Sequence, residues 1–470
     1  MQVIGASATI LLMALSLIQV LRTASDPANT SAQFYVPAAT TALAVLTAAV
    51  GIAALLRSAT VVTSRLLPWV VGLVSLTLAF VPWLLVGLGK TSLASWMYIG
   101  THVPQGQIRL WDLSLVLKSL DCDKFGFDVF VAHNGCLTDA AIYGQGVLWL
   151  NKVPLSIFSL GNLQVLGVLA MVVSSLALVW LARFSSGLGQ ITLLAAALGA
   201  PWLLLLERGN IDAVIIWVAV LVVIAVRRWD KLWVWFVAAG AIWILGTWKY
   251  YPFVLGLMLI PALRLRRGWT VLVAFGLASV TYVLATWSNF RFSSQSNSNM
   301  VDYGDVTVLG RIPVVARMIG TQVGQAGLQA GDFLVYALAL AALIWGVCFG
   351  LRLRKSRIHA AMLAAGGSSI YLAAILIAGF GWAYKATFML LCVPLLALRA
   401  PRSRMMLFSS VVMLAFIAIS SIVVWNTLLA TLAGLSVGAF ALGASVTVLG
   451  RSAVDSVRGH AKARELPSTV

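Results

Sequence analysis

Residues 159–182 read SLGNLQVLGVLAMVVSSLALVWLA, an apolar run without a charged side chain. As an α-helix this run is long enough to cross a bilayer core of ~30 Å. Comparable runs recur along the 470 residues, 61% of which come from the set AVILMFWYC and only 10% from DEKR. A water-soluble enzyme and a disordered chain are both excluded by such a composition. The sequence therefore predicts an all-α polytopic membrane protein.

The spacing of the apolar runs predicts a bundle of fourteen membrane-spanning helices. The predicted spans are residues 4–21, 38–56, 67–89, 159–182, 188–206, 211–226, 232–247, 251–263, 269–287, 333–351, 360–379, 385–398, 405–424 and 427–449. The first run is not followed by an A-x-A-like cleavage site and a polar mature region. We therefore predict a retained helix there and not a removed signal peptide.

The charge distribution predicts the orientation of the chain. In a soluble protein a formal net charge of +18 would indicate an anionic partner such as nucleic acid, but here the basic residues lie in short clusters between apolar runs. With the N-terminus in the cytoplasm, 20 of the 32 Lys and Arg fall on the inner side and 11 of the 14 Asp and Glu fall outside. We predict an integral plasma-membrane protein with both termini cytoplasmic, a polar tail at 451–470 that contacts membrane lipid, and no nucleic-acid partner.

Most polar residues fall on the predicted outer side, in loops 90–158 and 288–332 and in three short turns. Within the first loop, the apolar spacing of residues 107–120 predicts a short helix along the membrane surface. Asp112 lies at the start of this helix, where an acidic residue commonly stabilises the helix N-terminus. At the lipid–water boundary the same carboxylate could instead serve as a base toward a lipid-borne substrate.

Two cysteines of the first outer loop, Cys122 and Cys136, lie on the oxidising side of the membrane, and we favour a disulfide between them. A metal site in this loop is the alternative use of its polar residues. The candidate ligands are Asp121, Asp123, Asp128, His133 and Asp139. They show no strict ligand spacing, and solvated loop acids are far commoner than metal ligands. A divalent metal is therefore possible, and no cofactor is required.

Each of the three outer turns offers a cation at the head of a predicted span. They are Glu207-Arg208-Gly209-Asn210, Trp248-Lys249-Tyr250-Tyr251-Pro252 and Trp382-Ala383-Tyr384-Lys385. Asn210 and Asp212 have a structural explanation, since they can cap and stabilise the start of the next helix. A single Lys among aromatic residues is ordinarily an interfacial anchor. Three such cations beside a loop rich in carboxylates favour a phosphate-binding cavity.

Together these residues resemble the polyprenyl-phosphate-sugar-dependent membrane glycosyltransferases of the GT-C fold. The branch they are most similar to contains the phosphatidylinositol-mannoside mannosyltransferases and related arabinofuranosyltransferases. The matching motifs are Asp112-Leu113 before a short helix, the Gly-x-Asp-Val-x stretch from Gly126 to Phe130, Arg208-Gly209-Asn210, Lys249-Tyr250-Tyr251-Pro252 and Tyr384-Lys385. Their order and their common outer side agree with the family. The resemblance covers residues 67–400, within a membrane domain that we predict at residues 61–450.

The resemblance implies an inverting transfer in which Asp112 is the general base toward an acceptor hydroxyl and polyprenyl phosphate leaves. The sugar that the resemblance favours is mannose, with arabinofuranose as the second choice. The acceptor would be a glycolipid or a cell-envelope polysaccharide. Four cations would stabilise the donor phosphate, namely Arg208, Lys249, Lys385 and Arg109. Five residues would contact substrate, namely Asn210, Tyr250, Tyr384, Tyr143 and Asp128.

Two features depart from the family pattern. Family members usually carry the catalytic loop after their first span, whereas two spans precede it here, so residues 1–60 resemble an added N-terminal hairpin. A Tyr-Pro-Pro element that commonly closes the loop is represented only by Tyr143-Gly144. The second departure means that acceptor specificity does not carry over from the family. The identity of the sugar is determined by the shape of a cavity built from several loops.

Other functions remain open. An O-antigen-type ligase or polymerase would use a pyrophosphate-linked glycan, and Arg291, Arg311 and Arg317 of the second outer loop could serve it. A lipid-linked-sugar flippase is less favoured because ionisable residues near mid-span are nearly absent and no internal repeat is visible. A purely structural role fits poorly with acids and cations concentrated on one side. Residues 293–305 are either a mobile loop that orders over substrate or a flexible connection.

Overall fold

The computed structural model describes residues 66–90, 110–131, 135–137, 143–152, 157–289, 324–376, 383–398, 403–422 and 428–465. These residues form helices and turns without a β-strand. Several features named above lie outside the described residues, namely the predicted hairpin 1–60, the segment 293–305, and Arg109, His133, Asp139, Arg291, Arg311 and Arg317. The all-α class predicted from the sequence is therefore what the described part of the chain adopts.

The α-helices follow the apolar runs of the sequence. They are α1 (Leu67–Gly87), α2 (Trp111–Lys124), α3 (Leu163–Phe184), α4 (Gly187–Ala197), α5 (Ala200–Glu207), α6 (Asp212–Arg228), α7 (Leu232–Trp248), α8 (Trp269–Ala285), α9 (Gly324–Arg352), α10 (Ile358–Leu376), α11 (Val393–Leu396), α12 (Arg404–Ile422) and α13 (Leu428–Glu465). In the described part of the chain, 3₁₀ segments accompany them at Gln145–Lys152, Leu160–Asn162, Tyr251–Arg264, Lys355–Arg357 and Ala383–Cys392.

Three helices in the described part of the chain are long and apolar enough to cross a membrane, at Leu67–Gly87, Leu160–Phe184 and Gly434–Ser456. A fourth candidate is the bent pair α4 and α5, whose axes meet at 54°. The sequence predicts one continuous span over 188–206, and Pro201 in the first turn of α5 accounts for the break because proline cannot continue a helix but is tolerated at its start. In the other described apolar helices the apolar stretch is 10–17 residues long, for example Ala337–Arg352 within α9, and the number fourteen stays a prediction.

Two predicted spans take the 3₁₀ form. Residues Tyr251–Arg264 form a single 3₁₀ helix, and Ala383–Cys392 form another that continues into α11. A 3₁₀ helix rises ~2.0 Å per residue, so the 14 residues of the first segment extend about 28 Å, compared with about 21 Å as an α-helix. Both segments still belong to the shorter apolar helices of 10–17 residues, so their assignment as spans stays a prediction.

Glycine lets the two long helices α9 and α13 approach closely. Gly346 and Gly350 lie one turn apart on α9, and a Cβ on Gly346 would overlap the backbone of Phe440 on α13. Gly443 meets the backbone of Leu343 in the same way. Small residues at this spacing are a common way for membrane helices to pack through their backbones. Arg451 then donates to the carbonyl oxygens of Gly350 and Leu351, which satisfies the C-terminal end of α9.

Two boundaries differ from the sequence-based expectation. Helix α9 begins at Gly324, inside the predicted outer loop 288–332, and α13 continues to Glu465, through the predicted start of the tail at 451. Both extensions lack proline and contain Ala, Gln, Arg and Lys, which favour a helix despite their low hydropathy, so hydropathy alone ends these helices too early.

The two ends of the bundle carry different chemistry. Helix α6 runs from Asp212 to Arg228, a length of about 25 Å. Near Arg228, the guanidinium of Arg227 lies over the ring of Phe184 at 5.5 Å and Arg264 pairs with Asp230 at 3.1 Å. We call this the arginine end. The opposite end, where Asp212 lies, collects the residues described next, and we call it the site end.

Candidate active site

The start of helix α2 is docked onto the end of helix α5. The backbone N–H of Leu110 donates to the Glu207 carbonyl at 3.0 Å, and those of Asp112 and Leu113 donate to the Arg208 carbonyl at 3.0 and 3.3 Å. The first N–H groups of one helix are thus satisfied by the last carbonyls of another. This docking brings Asp112 and Arg208 together although they are 96 positions apart.

Close backbone packing fixes the position of this junction. Leu110 is fully buried with φ of 53°, in the left-handed region that non-glycine residues rarely adopt. A Cβ on Gly167 of α3 would overlap the Leu110 side chain, and Gly209 has φ of 60° with Leu113 directly beside it. The two glycines allow α3 and the turn after α5 to close around Leu110, so the residue before the Asp112 helix has little freedom.

The carboxylate of Asp112 is held by two side chains. Its Oδ1 accepts hydrogen bonds from Nε and Nη2 of Arg208 at 3.1 and 2.8 Å, and its Oδ2 accepts one from Nδ2 of Asn210. Only 9% of the Asp112 side chain and 19% of the Arg208 side chain are exposed. The carboxylate makes no side-chain hydrogen bond that caps its own helix. Its contacts orient it toward the site end and differ from those of an ordinary capping residue.

A second carboxylate, Asp212, gathers both predicted lysines. Nζ of Lys249 lies 2.7 Å from Asp212 Oδ1, and Nζ of Lys385 lies 2.6 Å from Oδ2. The hydroxyl of Tyr251 donates to Asp212 Oδ1 and accepts from Lys385 Nζ at 2.7 Å. Asp212 is fully buried, and the two lysine side chains are only 12% and 8% exposed. A buried charge needs such partners, because an isolated carboxylate away from water is very costly.

Asn210 joins the two carboxylates into one network. Its Nδ2 donates to Asp112, while its Oδ1 accepts from Lys249 Nζ at 3.0 Å and from the backbone N–H of Asp212 at 2.9 Å. The last bond is the helix-starting contact expected from the sequence. We call Arg208, Asp112, Asn210, Lys249, Asp212, Lys385 and Tyr251 the polar network. It connects four chain segments that the sequence predicts on one side of the membrane, at Asp112, at 208–212, at 249–251 and at Lys385.

Tyr143 adjoins the polar network through Lys249. It is buried, and its ring centroid lies 5.4 Å from Lys249 Nζ. Burial raises the pKa of Tyr143 well above its usual range, and the negative charges of Asp112 and Asp212 add to that effect. The phenol is therefore neutral at physiological pH. The following Gly144 donates its N–H to the Trp248 carbonyl at 2.8 Å, so this part of the outer loop rests on the end of α7.

Tyr250 and Tyr251 have separate surroundings although they are neighbours in sequence. Tyr251 belongs to the polar network, whereas the ring of Tyr250 packs against Tyr282 with centroids 6.1 Å apart. Tyr282 in turn accepts from Gly146 N–H and donates to the Thr247 carbonyl, both at 3.1 Å. The structure thus brings Tyr251, which was not among the predicted site residues, to the charged groups, and puts Tyr250 in an aromatic cluster.

The remaining predicted residues are distributed as follows. Asp128 accepts a hydrogen bond from the N–H of Phe130 within its own turn at 3.0 Å. Tyr384 lies in the 3₁₀ segment directly before Lys385. Cys122 and Cys136 form a disulfide with Cα atoms 5.9 Å apart, the pairing that we favoured. This bond ties the end of α2 to the loop that follows it.

Two of the acids proposed as alternative metal ligands, Asp121 and Asp123, have other contacts. Asp121 pairs with Lys124 at 3.4 Å and accepts from the Leu160 N–H at 2.9 Å. Asp123 accepts from Asn151 Nδ2 at 2.6 Å. Among the described residues there is no group of three or more His, Cys, Asp or Glu side chains arranged to hold a metal ion.

The polar network can perform two chemical tasks. An oriented carboxylate can take a proton, and a group of cations held close to it can bind or stabilise an anion. Sequence reasoning missed two members as functional residues, Tyr251 and the buried acid Asp212. The position of Asp212 in the first turn of a helix has an ordinary structural explanation, so only its spacing of two residues from Asn210 could have drawn attention to it.

Comparisons of the chain with protein-family models, curated proteins and solved structures find no match.

Proposed function

We propose that this chain is an inverting membrane glycosyltransferase that moves a single sugar from a polyprenyl-phosphate donor to an acceptor hydroxyl. Mannose is the favoured sugar and arabinofuranose the next, with a glycolipid or a cell-envelope polysaccharide as acceptor. The observation that carries the proposal is the Asp112 carboxylate, held by Arg208 and Asn210 next to the two lysines on Asp212. A base and an anion-binding group side by side are what this reaction needs.

Asp112 has the capacity to act as the base. A carboxylate has about four acceptor positions, and the described residues occupy three of them. The fourth accepts the proton of the acceptor hydroxyl as its oxygen attacks the anomeric carbon. The bond from that carbon to the phosphate oxygen breaks with inversion, and polyprenyl phosphate leaves with the electron pair. Asp112 ends the step protonated, so atoms and charge balance.

The cations supply the other half of the reaction. Negative charge builds up on the leaving phosphate, and charge-assisted hydrogen bonds from lysine stabilise it most where water is excluded. Lys249 uses two of its three N–H groups on Asn210 and Asp212 among the described residues. Its third N–H is the first candidate for a phosphate oxygen.

The membrane arrangement is part of the same proposal. We assign the chain to the GT-C fold with fourteen spans, the arginine end in the cytoplasm and the site end outside. Arginines concentrated at one end of α6 and carboxylates at the other support this orientation by the positive-inside rule. The isoprenoid tail of the donor would lie in lipid against the apolar helices, which explains why the reaction needs a membrane-embedded enzyme.

A donor panel tests the proposal. Purified protein is supplied with radiolabelled polyprenyl-phosphate mannose, polyprenyl-phosphate arabinofuranose and a polyprenyl-pyrophosphate-linked oligosaccharide, each with native lipid extract as acceptor. We expect label to move into lipid or polymer from one monophosphate donor. Transfer from the pyrophosphate-linked oligosaccharide alone would refute the proposal and favour the ligase.

A further inference from the structure

Helix α2 lies over the ends of other helices at the site end. Its buried residues belong to one apolar cluster with the first turn of α3, the residue before α6 and the end of α7. They are Val116, Leu117 and Leu120, with Leu163, Leu166, Ile211 and Trp248 packed around them. The helix has 14 residues and is about 21 Å long. It therefore runs across the end of the bundle, away from its junction with α5.

The far end of α2 is bonded to the start of α3. The N–H of Leu160 donates to the Asp121 carboxylate at 2.9 Å, and Nζ of Lys124 donates to the Phe158 carbonyl at 3.2 Å. Leu160–Phe184 is one of the stretches that are long and apolar enough to cross a membrane. Such a stretch begins where lipid meets water, so these bonds put the end of α2 at that boundary.

An exposed aromatic residue follows directly at this boundary. Phe125 is 79% exposed, and it lies one helical turn after Asp121 on the same face, the face that is bonded to the start of α3. Leu160 and Val165 on α3 are also exposed, at 42% and 70%. Apolar surface that is exposed and continuous with a membrane-spanning stretch marks a contact with lipid.

The turn that carries Phe125 has a fixed conformation. Gly126 has φ of 83°, in the left-handed region, and the N–H of Phe127 donates to the Cys122 carbonyl at 3.2 Å. This is a common way to end a helix. The disulfide from Cys122 to Cys136 holds the same turn to the following loop. An aromatic side chain on a fixed turn loses little conformational freedom when it enters another phase.

We propose that Phe125 is a membrane anchor, whose ring inserts among the acyl chains of the leaflet at the site end, beside the start of α3. The ammonium group of Lys124, held by Asp121 and by the Phe158 carbonyl, stays at the level of the lipid headgroups. Helix α2 is then held at both ends, by backbone bonds at the end that carries Asp112 and by lipid at the other. This inference rests on the membrane arrangement of the proposed function but not on its chemistry.

Fluorescence quenching in phosphatidylcholine vesicles tests the inference. A fluorescent amino acid with a naphthalene side chain replaces Phe125, Lys118 or Val165 in the full-length protein, which leaves the Cys122–Cys136 disulfide unchanged. Lys118 is the reference for water, since it is exposed on the same face of α2 two turns earlier, and Val165 is the reference for lipid. The quenchers are a nitroxide on the acyl chains and iodide on both sides of the bilayer.

We expect the label at position 125 to emit at shorter wavelength than the label at 118 and to be quenched by the nitroxide, as at position 165. The label at 118 should be quenched by iodide. Iodide quenching at 125 together with nitroxide quenching at 165 overturns this inference and leaves the proposed function standing. Iodide quenching at 165 would contradict the membrane arrangement itself, and with it both proposals.

Discussion

Lys385 lies 173 positions after Asp212 in the chain, and its Nζ is 2.6 Å from Oδ2 of the Asp212 carboxylate. The pair joins the first turn of α6 to the 3₁₀ segment Ala383–Cys392. Because Lys249 contacts the other oxygen of the same carboxylate, two turns that look independent in the sequence are parts of one charged group. The predictions below concern how that group and its surroundings are held.

Replacing Gly167 with Ala should destabilise the protein and reduce activity. The added methyl group would overlap the fully buried side chain of Leu110, which fixes the start of the Asp112 helix. Overpacking of this kind costs about 1–3 kcal/mol. Gly240→Ala on α7 is the matched control, since no atom lies within 4 Å of its added Cβ, and it should be neutral or slightly stabilising. Thermal unfolding in detergent measures both. Equal effects of the two changes would show that Gly167 is not a packing constraint.

Arg208→Lys should lower kcat far more than it raises the KM for donor. Arg208 donates two hydrogen bonds to one oxygen of Asp112, which an ammonium group cannot reproduce with the same geometry. A misplaced base costs about a hundredfold in rate. Lys249→Gln should show the opposite pattern, with the larger change in donor KM. Steady-state kinetics on both variants separates the roles. A rise in KM at constant kcat for Arg208→Lys would instead make Arg208 a donor-phosphate ligand, as the family resemblance implies.

Removing the disulfide should loosen the outer loop without unfolding the bundle. Cys122 and Cys136 are 14 positions apart, and closing a loop of that length stabilises a fold by about 3 kcal/mol. We expect the double change of both cysteines to Ala to make this loop the first site of limited proteolysis. Cys348→Ala, which removes a free thiol on α9, is the control. A proteolysis pattern identical in the two proteins would contradict the prediction.

The orientation of the chain can be tested by labelling. Lys118 on α2 is exposed at the site end and Arg228 is exposed at the arginine end. In a background with Cys348 and Cys392 changed to Ala, we expect Lys118→Cys to react with an impermeant maleimide in intact cells. Arg228→Cys should react only after the membrane is permeabilised. The reverse pattern would invert the topology and move the polar network to the cytoplasmic side.

Hydropathy and run length predict most helices but not their breaks or their pitch. Predicted spans 211–226 and 232–247 end within two residues of α6 and α7, because a long apolar run in a membrane protein has few alternatives to a helix. The break between α4 and α5 and the long 3₁₀ segment Tyr251–Arg264 were missed. An apolar run alone does not distinguish the two helical forms, since a run that is apolar on every side shows no periodicity that separates 3.0 from 3.6 residues per turn.

The sequence indicated which segments build the candidate site but not how their side chains pair. Asp112, Arg208 and Lys249 were predicted on one side, and the structure joins them through Asn210. From the sequence alone Asp212 has a helix-starting role, because an acid in the first turn needs no other explanation. Its pairing with Lys385 depends on helix packing over 173 positions, which no local pattern encodes.

The most direct test of the proposed function is single-turnover transfer by Asp112→Asn. The amide has nearly the same shape as the carboxylate but cannot take the proton, and general base catalysis contributes about 10²–10⁴-fold to rate. Donor binding and thermal unfolding are measured on the same samples, with Asp230→Asn as the matched carboxylate-to-amide control. We expect Asp112→Asn to bind the polyprenyl-phosphate donor and lose transfer by at least about a hundredfold, while Asp230→Asn keeps the wild-type rate. Transfer by Asp112→Asn at the wild-type rate would contradict the assignment of Asp112 as the base.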